Sequence, residues 1–416
     1  MIQLFKGWKH NSIWIEEAAR LLGRHDLFDI KLDMGDVDKS RPLLFPIHAG
    51  GMWNFSPSTK EFDVFDRSVR GAENYLGAEN TFLCLDISGE GFPIDDATLR
   101  NLHKELGNFH LNPKRVIVFT SSVDAPRDYN EWCHSTGTAP AFEPVPLQVQ
   151  LYFYAGQYQN HRKHVEAVFY DSLKSLTCPN PRKHKFLTLN YTPRPNRYAV
   201  VLNLIAGNHV KDGLISFHGP KVDNASPIDN MSSYDSENAV LDMLAHLELD
   251  PTTLKQIGTL HSLAPLIVDE RSSRTDYAYA VPDPFPYLNS YLSIVTESDY
   301  TAASGLRITE KVLKAIANCH PFILVGAAGS LALLKSLGFK TFAPIFDESY
   351  DLEPSPPKRM RMVLAEIDRV LSLPLNEIRI MYEQLWSVVL HNFTLFHFGS
   401  GQALLQDPAF KFATGK

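Results

Sequence analysis

The sequence predicts an α/β protein made of two parallel-sheet halves followed by a helical tail. Strand-like apolar runs alternate with helix-length amphipathic segments in two separate stretches, 80–121 and 186–339, and that alternation builds parallel sheets. The chain has 416 residues, more than a single core comfortably fills, so two domains are expected. The last segment, Pro374–Phe393, carries apolar residues at helical spacing and is long enough to pack over both halves. The expected division is an amino-terminal α/β domain over 1–175, a second α/β domain over 176–375, and a helical segment over 376–416 that packs across both.

In the first half, Phe45–Phe55 reads as a strand running into a Gly-Gly turn, with His48 at the seam. Asn80–Ile87 is a strand that ends near Asp86 and Glu90, Ile94–Leu106 a helix opened by Asp95 and Asp96, and Arg115–Ser121 the next strand. Residues 123–146 are rich in Pro, Asp, Ser and Gly without a period and read as a long loop, and loops of that length are usually functional or mobile. Val145–Tyr154 supplies a further apolar, aromatic strand.

In the second half, the apolar run 186–189 is a strand, Thr192 an N-cap, Pro193 the first helical residue or its neighbour, and Arg194–Ala206 an amphipathic helix. Then come a strand at Tyr291–Glu297, a loop at Ser298–Arg307, a helix at Ile308–Ile316, a strand at Pro321–Gly326, a helix at Ser330–Phe339 and a short strand at Lys340–Phe342.

Ligands of parallel sheets bind outside the carboxyl ends of the strands, and Glu297, Arg307, Thr309, Glu310 and Lys311 fall at such an end. An Arg and a Lys beside the first turn of a helix make a cationic pocket where free N–H groups and the helix dipole already favour an anion, here a phosphate or diphosphate. Arg194 and Arg197 mark a second strand-to-helix seam, three apart on one face of the first turn. A guanidinium there can grip a phosphate through two parallel hydrogen bonds; the plainer alternative is a pair of surface residues at a helix start. Asp347, Glu348, Ser349 and Asp351 follow the short strand at 340–342. Clustered carboxylates suit a divalent ion, while a cap for the helix beginning near Ser355 is the duller reading and the one favoured here. Three basic clusters, His161–His164, Arg182–Lys185 and Lys358–Arg361, read either as phosphate contacts or as solvated faces.

The segment Ile294–Asp299, Ile308–Ile316 and Pro321–Ala327 resembles the nucleotide-sugar-binding motif of α1,3-fucosyltransferases. In that family a strand ending in Glu-Asn-Ser is followed by Thr-Glu-Lys opening a helix and then by a strand with a Pro-Val-Val-Leu-Gly-like sequence; here Ser298-Asp299 stands in place of Asn-Ser, and donor identity does not transfer. The likeness implies that Lys311 holds the donor diphosphate and that Glu297 and Glu310 bind ribose hydroxyls or orient neighbours. The phrase Asn190–Arg197 resembles an Asn-Arg-x-Pro-Arg-Pro-His-Arg segment of bacterial and viral glycosyltransferase-like proteins. These resemblances imply the GT-B arrangement, two Rossmann-like domains facing a cleft, with Asp347 and Glu348 beside the donor sugar and no metal or other cofactor required.

Composition narrows the partners. A net charge of -7 argues against coating nucleic acid through bulk charge. No run of about 18 apolar residues is present, so no membrane association is expected, and the first ten residues lack the layout of a signal peptide; a cytoplasmic protein is expected. Cys84, Cys133, Cys178 and Cys319 make no Cys-x-x-Cys pair and suggest neither a zinc site nor a disulfide framework. Oligomeric state is not legible.

The function expected is a glycosyltransferase, inverting, moving a sugar from a nucleoside-diphosphate donor to a hydroxyl. The acceptor is a saccharide or a hydroxylated DNA base, as in phage enzymes that modify their own genomes. Arg194, Arg197, Arg307 and Lys311 would stabilise the leaving diphosphate, and His48, Asp86 or Glu90 would supply the base. The alternative is a non-catalytic nucleotide-sugar-binding protein. A nucleotide-sugar epimerase is disfavoured because the chain has neither a Gly-x-Gly-x-x-Gly turn nor a Tyr-x-x-x-Lys pair.

Overall fold

A computed structural model describes residues 2–6, 14–24, 27–38, 40–41, 43–48, 81–88, 96–108, 112–177, 182–190, 193–218, 237–268, 281–301, 305–343 and 345–407. The chain divides into two compact units, one of residues 1–160 with 303–308 and 398–416, the other of residues 161–302 with 309–397. The division falls between Asn160 and His161, against the 175 expected from sequence.

The first unit runs β1 (Ile2–Phe5), α1 (Trp14–Leu21), β2 (Phe28–Lys31), β3 (Leu43–His48), β4 (Thr81–Ile87), α2 (Asp96–Asn108), β5 (Val116–Thr120), α3 (Ala125–Thr136), β6 (Glu143–Pro146) and α4 (Val149–Gln159). Its sheet has the order β2-β1-β3-β4-β5-β6. All its pairings are parallel. Every residue of β5 is buried, as expected of a strand covered on both faces. Phe45, Leu83, Leu85, Val116 and Val118 pack there against Leu99, Leu102 and Leu106 of α2 and Tyr129 of α3.

Two expectations fail in this unit. The supposed loop 123–146 contains α3, opened by a Pro in its first turn and closed by Gly137 at φ +67°, whose N–H bonds the carbonyls of Cys133 and His134. The supposed strand 145–154 is instead the end of β6 and most of α4. Val149 and Leu151 to Tyr158 are buried, with Gln150 half-buried and Gln159 exposed at the helix end, so α4 shows almost no polar face, and its aromatic run imitates a strand. A side chain at Gly156 would lie 2.4 Å from the Leu21 Cβ, so α4 crosses α1 at close range.

The second unit runs α5 (Arg162–Thr177), β7 (His184–Asn190), α6 (Pro195–Ala206), β8 (Gly213–Phe217), short helices between 237 and 288, β9 (Ser290–Thr296), α7 (Glu310–Ala317), β10 (Phe322–Val325), α8 (Ser330–Ser336), α9 (Pro356–Leu371) and α10 (Leu375–Thr394). The order β10-β9-β7-β8 is parallel throughout. Helix α10 packs on α7, β9 and β7, and α11 (Ser400–Gln406) packs on α4.

The strand expected at Lys340–Phe342 does not form. The side-chain amide of Asn392 on α10 takes the place of a neighbouring strand, accepting from Lys340 N and donating to Lys340 O, each at 2.8 Å. Phe342 N in turn donates to Glu348 Oε1 at 2.7 Å. With its backbone groups satisfied in this way, the segment needs no sheet.

Candidate anion site of the second unit

The carboxyl ends of β7 and β9 are bound together by polar side chains. Thr296 Oγ1 donates to Asn190 Oδ1 at 2.5 Å, and Asn190 Nδ2 donates to Thr188 Oγ1 at 3.1 Å. One residue beyond β9, the Glu297 carbonyl accepts from Asn196 Nδ2 in the first turn of α6 at 2.8 Å, and Glu297 N donates to Val325 O of β10 at 3.0 Å. The Glu297 side chain accepts the Thr309 hydroxyl hydrogen through Oε2. Gly326 leaves room for this packing: a Cβ there would meet Glu297 Cγ at 3.4 Å and Ser330 Oγ at 2.9 Å. Glu297 is thus fixed to the starts of two helices and to the adjacent strand.

Arg194 is the N-cap residue of α6, two residues later than the cap expected from sequence, and Pro195 is the first helical residue. Its backbone is extended and its carbonyl accepts from Arg197 N and Tyr198 N, both at 3.0 Å, so the first turn winds directly off it. The Arg194 side chain is half-buried, its Nε is buried, and its guanidinium makes no hydrogen bond or ion pair among the described residues. Arg197, one turn into the helix, is 3% exposed. A half-buried cation without a counter-charge, set at a helix start outside the carboxyl end of a parallel strand, is a place for an anion.

Lys311 is the residue expected from sequence to hold the donor diphosphate. Its Nζ is bonded to Glu310 Oε1 at 2.6 Å. Burial disfavours the charged form of Glu310, but Lys311 and Lys314 outweigh it and hold the carboxyl down at about 2. Thr309 caps α7, its hydroxyl accepting from Lys311 N at 3.4 Å. The sequence segment therefore folds as expected, while the ammonium already has a carboxylate. Arg307 is counted with the first unit rather than with Lys311.

Two acidic residues expected beside the donor sugar have local partners instead. Glu348 binds Thr341 Oγ1 and Phe342 N, each at 2.7 Å, and pins the 341–342 turn. Asp347 closes a turn onto Ser349 N at 3.0 Å. Asp351, from the same cluster, caps α8, accepting from Leu331 N at 2.9 Å and Ala332 N at 3.1 Å. None of the three has a described contact with Arg194 or Glu297. Among the described residues, no group of three or more His, Cys, Asp or Glu side chains is placed to hold a metal ion.

The basic clusters are largely consumed by the fold. Arg182, 4% exposed, donates to the carbonyls of Tyr287 and Ser290 and to the Tyr382 hydroxyl, with its guanidinium over the Tyr382 ring at 4.4 Å. Next to it His320 is fully enclosed, and burial followed by the Arg182 charge pushes its imidazole down to about 3. Lys185 pairs with Asp212 at 2.9 Å, Arg162 with Glu166 at 2.9 Å, and Arg361 with Glu248 at 3.3 Å. Arg359 is buried and donates to the carbonyls of Gly326, Tyr300 and Glu353.

In the first unit, His48 and Asp86 are register partners at the carboxyl ends of β3 and β4. The Asp86 carboxylate is fully buried and accepts from Ser88 N at 3.0 Å and Ser88 Oγ at 2.6 Å. Glu90 lies outside the described residues, as does Thr192, and so do Asp63, Asp66 and Glu73, the acidic residues next in line for the base should His48, Asp86 and Glu90 fail.

Asn190, Thr296 and Asn196 were not singled out by sequence reasoning. The available signal was polar residues closing otherwise apolar runs at strand ends, and an amide between Arg194 and Arg197. No helix among the described residues is long and apolar enough to cross a membrane.

No protein-family model and no curated protein sequence matches the chain. Among solved structures, the chain is similar to an α,α-trehalose-phosphate synthase (UDP-forming) from Burkholderia vietnamiensis, with 13% identity, coverage of 94% of this chain and 79% of that one, and a TM-score of 0.40. The likeness is distant, and the reading of function rests on the site itself.

Proposed function

We propose that the protein is a glycosyltransferase of GT-B type that binds the diphosphate of a nucleotide-sugar donor at the start of α6. One observation carries this reading: the Arg194 guanidinium sits at the helix start, half-buried, without a counter-charge among the described residues. Arg197 lies one turn further on, and the two together supply the positive charge that a departing diphosphate requires. The Thr-Glu-Lys phrase at Thr309–Lys311 supports the nucleotide-sugar class through its likeness to the fucosyltransferase motif. The Lys311 charge is already partly balanced by the Glu310 carboxylate. Its contribution is therefore smaller than that of Arg194.

The acceptor we favour is a saccharide. A DNA base is the second reading, and it loses support because Arg182, Lys185 and Arg359, from two of the three basic clusters, are bonded within the fold. A duplex-binding surface needs such cations free to replace condensed counterions.

Calorimetry with UDP and GDP on wild type, Arg194→Ala and Lys311→Ala tests the site. Loss of a charge-assisted contact from a partly buried position is worth roughly 1.5–3 kcal/mol, about a ten- to hundredfold weaker binding for Arg194→Ala, with a smaller loss for Lys311→Ala. Equal affinity in wild type and Arg194→Ala removes the assignment. Donor hydrolysis or transfer from a panel of nucleotide sugars separates an enzyme from a non-catalytic binding protein, and a salt-sensitive gel shift at low salt puts the DNA base ahead of the saccharide.

A further inference from the structure

We propose that Asn196 is a positioning residue for this anion site, holding the Arg194 guanidinium in place through the backbone of Glu297. The proposal deepens the reading given above and rests on it for the identity of the ligand. Asn196 is 1% exposed and sits in the first turn of α6, between the two arginines in sequence. Its Nδ2 donates at 2.8 Å to the carbonyl of Glu297, a residue that also takes the Thr309 hydroxyl and pairs through its N–H with Val325 O. Glu297 therefore cannot shift without disturbing β10 and α7, and it makes a fixed post. The Asn196 bond ties the first turn of α6 to that post. Arg194, whose carbonyl receives two N–H groups of the same turn, is carried with it.

No such tie is made by the Arg194 side chain itself, which has no hydrogen bond among the described residues, and an N-cap residue in extended conformation is otherwise free to fray. A cation kept without a partner aims at a ligand only if its backbone is pinned. A buried amide is suited to that task beside an anion site, because it donates a hydrogen bond without bringing a charge of its own.

Asn196→Asp gives a test with its own control. The new side chain has nearly the same shape. When ionised it sets a carboxylate against the Glu297 carbonyl; when protonated it can donate to that carbonyl again. We would follow the Arg194 Nε–H resonance by nitrogen-proton NMR, assigned by its loss in Arg194→Lys, from mildly alkaline to mildly acidic pH. UDP affinity relative to wild type at each pH would be measured in parallel.

The expected result is a displaced resonance and at least tenfold weaker UDP binding in Asn196→Asp at alkaline pH, both returning toward wild type as the new carboxyl takes up a proton. Asn196→Ala should be displaced at every pH, which keeps the test decisive if the Asp variant does not fold. An Arg194 resonance unmoved in folded Asn196→Asp or Asn196→Ala overturns the proposal. If wild type binds neither UDP nor GDP, the nucleotide-sugar reading falls while the resonance still decides whether Asn196 positions Arg194.

Discussion

Thr309 gives its hydroxyl hydrogen to the Glu297 carboxylate while the same oxygen accepts from Lys311 N and caps α7. One side chain thereby joins the carboxyl end of β9 to the start of the next helix, and both partners are 3% exposed. An N-cap contributes about 1 kcal/mol, and a hydrogen bond to a charged group roughly 1.5–3 kcal/mol. Thr309→Val, which keeps the shape and removes both bonds, should destabilise the second unit by about 2–4 kcal/mol in urea unfolding. Thr309→Ser should retain most of that. Equal losses in Ser and Val would assign the effect to packing of the methyl group rather than to the hydroxyl.

The Glu310–Lys311 pair predicts a specific acid response. Burial alone would raise the Glu310 carboxyl, but Lys311 and then Lys314 overcome it and lower it from 4.5 to about 2. A carboxyl lowered by folding contributes stability that is complete above its unfolded value and is lost as pH falls through the folded one. This contribution should therefore fade as pH drops from about 4.5 toward about 2. Lys311→Met removes the nearer cation, so the acid-dependent loss should shrink. Urea midpoints across that range, taken in both proteins, decide it; parallel profiles would show that the pair is not formed in solution.

What could be read in the sequence and what could not follows a physical line. The strands 184–190, 290–296 and 322–325 and the helix 310–317 were legible because each combines an apolar run or stripe with turn or cap residues at its ends. Helix α4 was not, since burial of nearly every residue erases most of the polar face that distinguishes a helix from a strand. Helix α3 had its signals in Pro126 and Gly137, and they were read as loop residues for want of a strong apolar stripe. The partners of Lys311, Glu348 and Arg182 were invisible for a different reason. Sequence shows which side chains carry charge, but only the fold shows which of them have already been neutralised or bonded.

In the first unit, Gly305 has φ +81°, and a side chain there would meet Ser122 Oγ at 1.9 Å and Ser122 Cβ at 2.4 Å. The segment around it is held by Val123 N donating to Leu306 O at 3.0 Å. Gly305→Ala incurs a left-handed backbone cost of roughly 1–2 kcal/mol as well as the clash. Ser122→Gly in the same chain should recover the clash but not the backbone share. Ser122 Oγ is buried without a hydrogen bond, so Ser122→Ala alone should be neutral or mildly stabilising. A thermal-melt cycle of the four proteins checks this; a marked loss for Ser122→Ala would mean that the hydroxyl has a partner in solution.

The base for an inverting transfer is expected among His48, Asp86 and Glu90, and the structure distinguishes how two of them are to be tested. Asp86 is fully buried, with one carboxylate oxygen receiving both Ser88 N and Ser88 Oγ, so it holds the turn after β4 whatever else it does. Its replacement by Asn keeps an acceptor for that turn, which makes Asp86→Asn a fair probe of chemistry and Asp86→Ala a poor one. His48 is its register partner on β3, at a strand end where a ligand-facing residue is expected. Removing a general base commonly lowers turnover by about 10²–10⁴-fold while sparing donor affinity. At least one of His48→Ala, Asp86→Asn and Glu90→Gln should show that pattern, read as turnover with a nucleotide sugar beside UDP and GDP binding by calorimetry. If turnover stays near normal in all three, the base lies elsewhere, and Asp63, Asp66 and Glu73 become the next residues to replace.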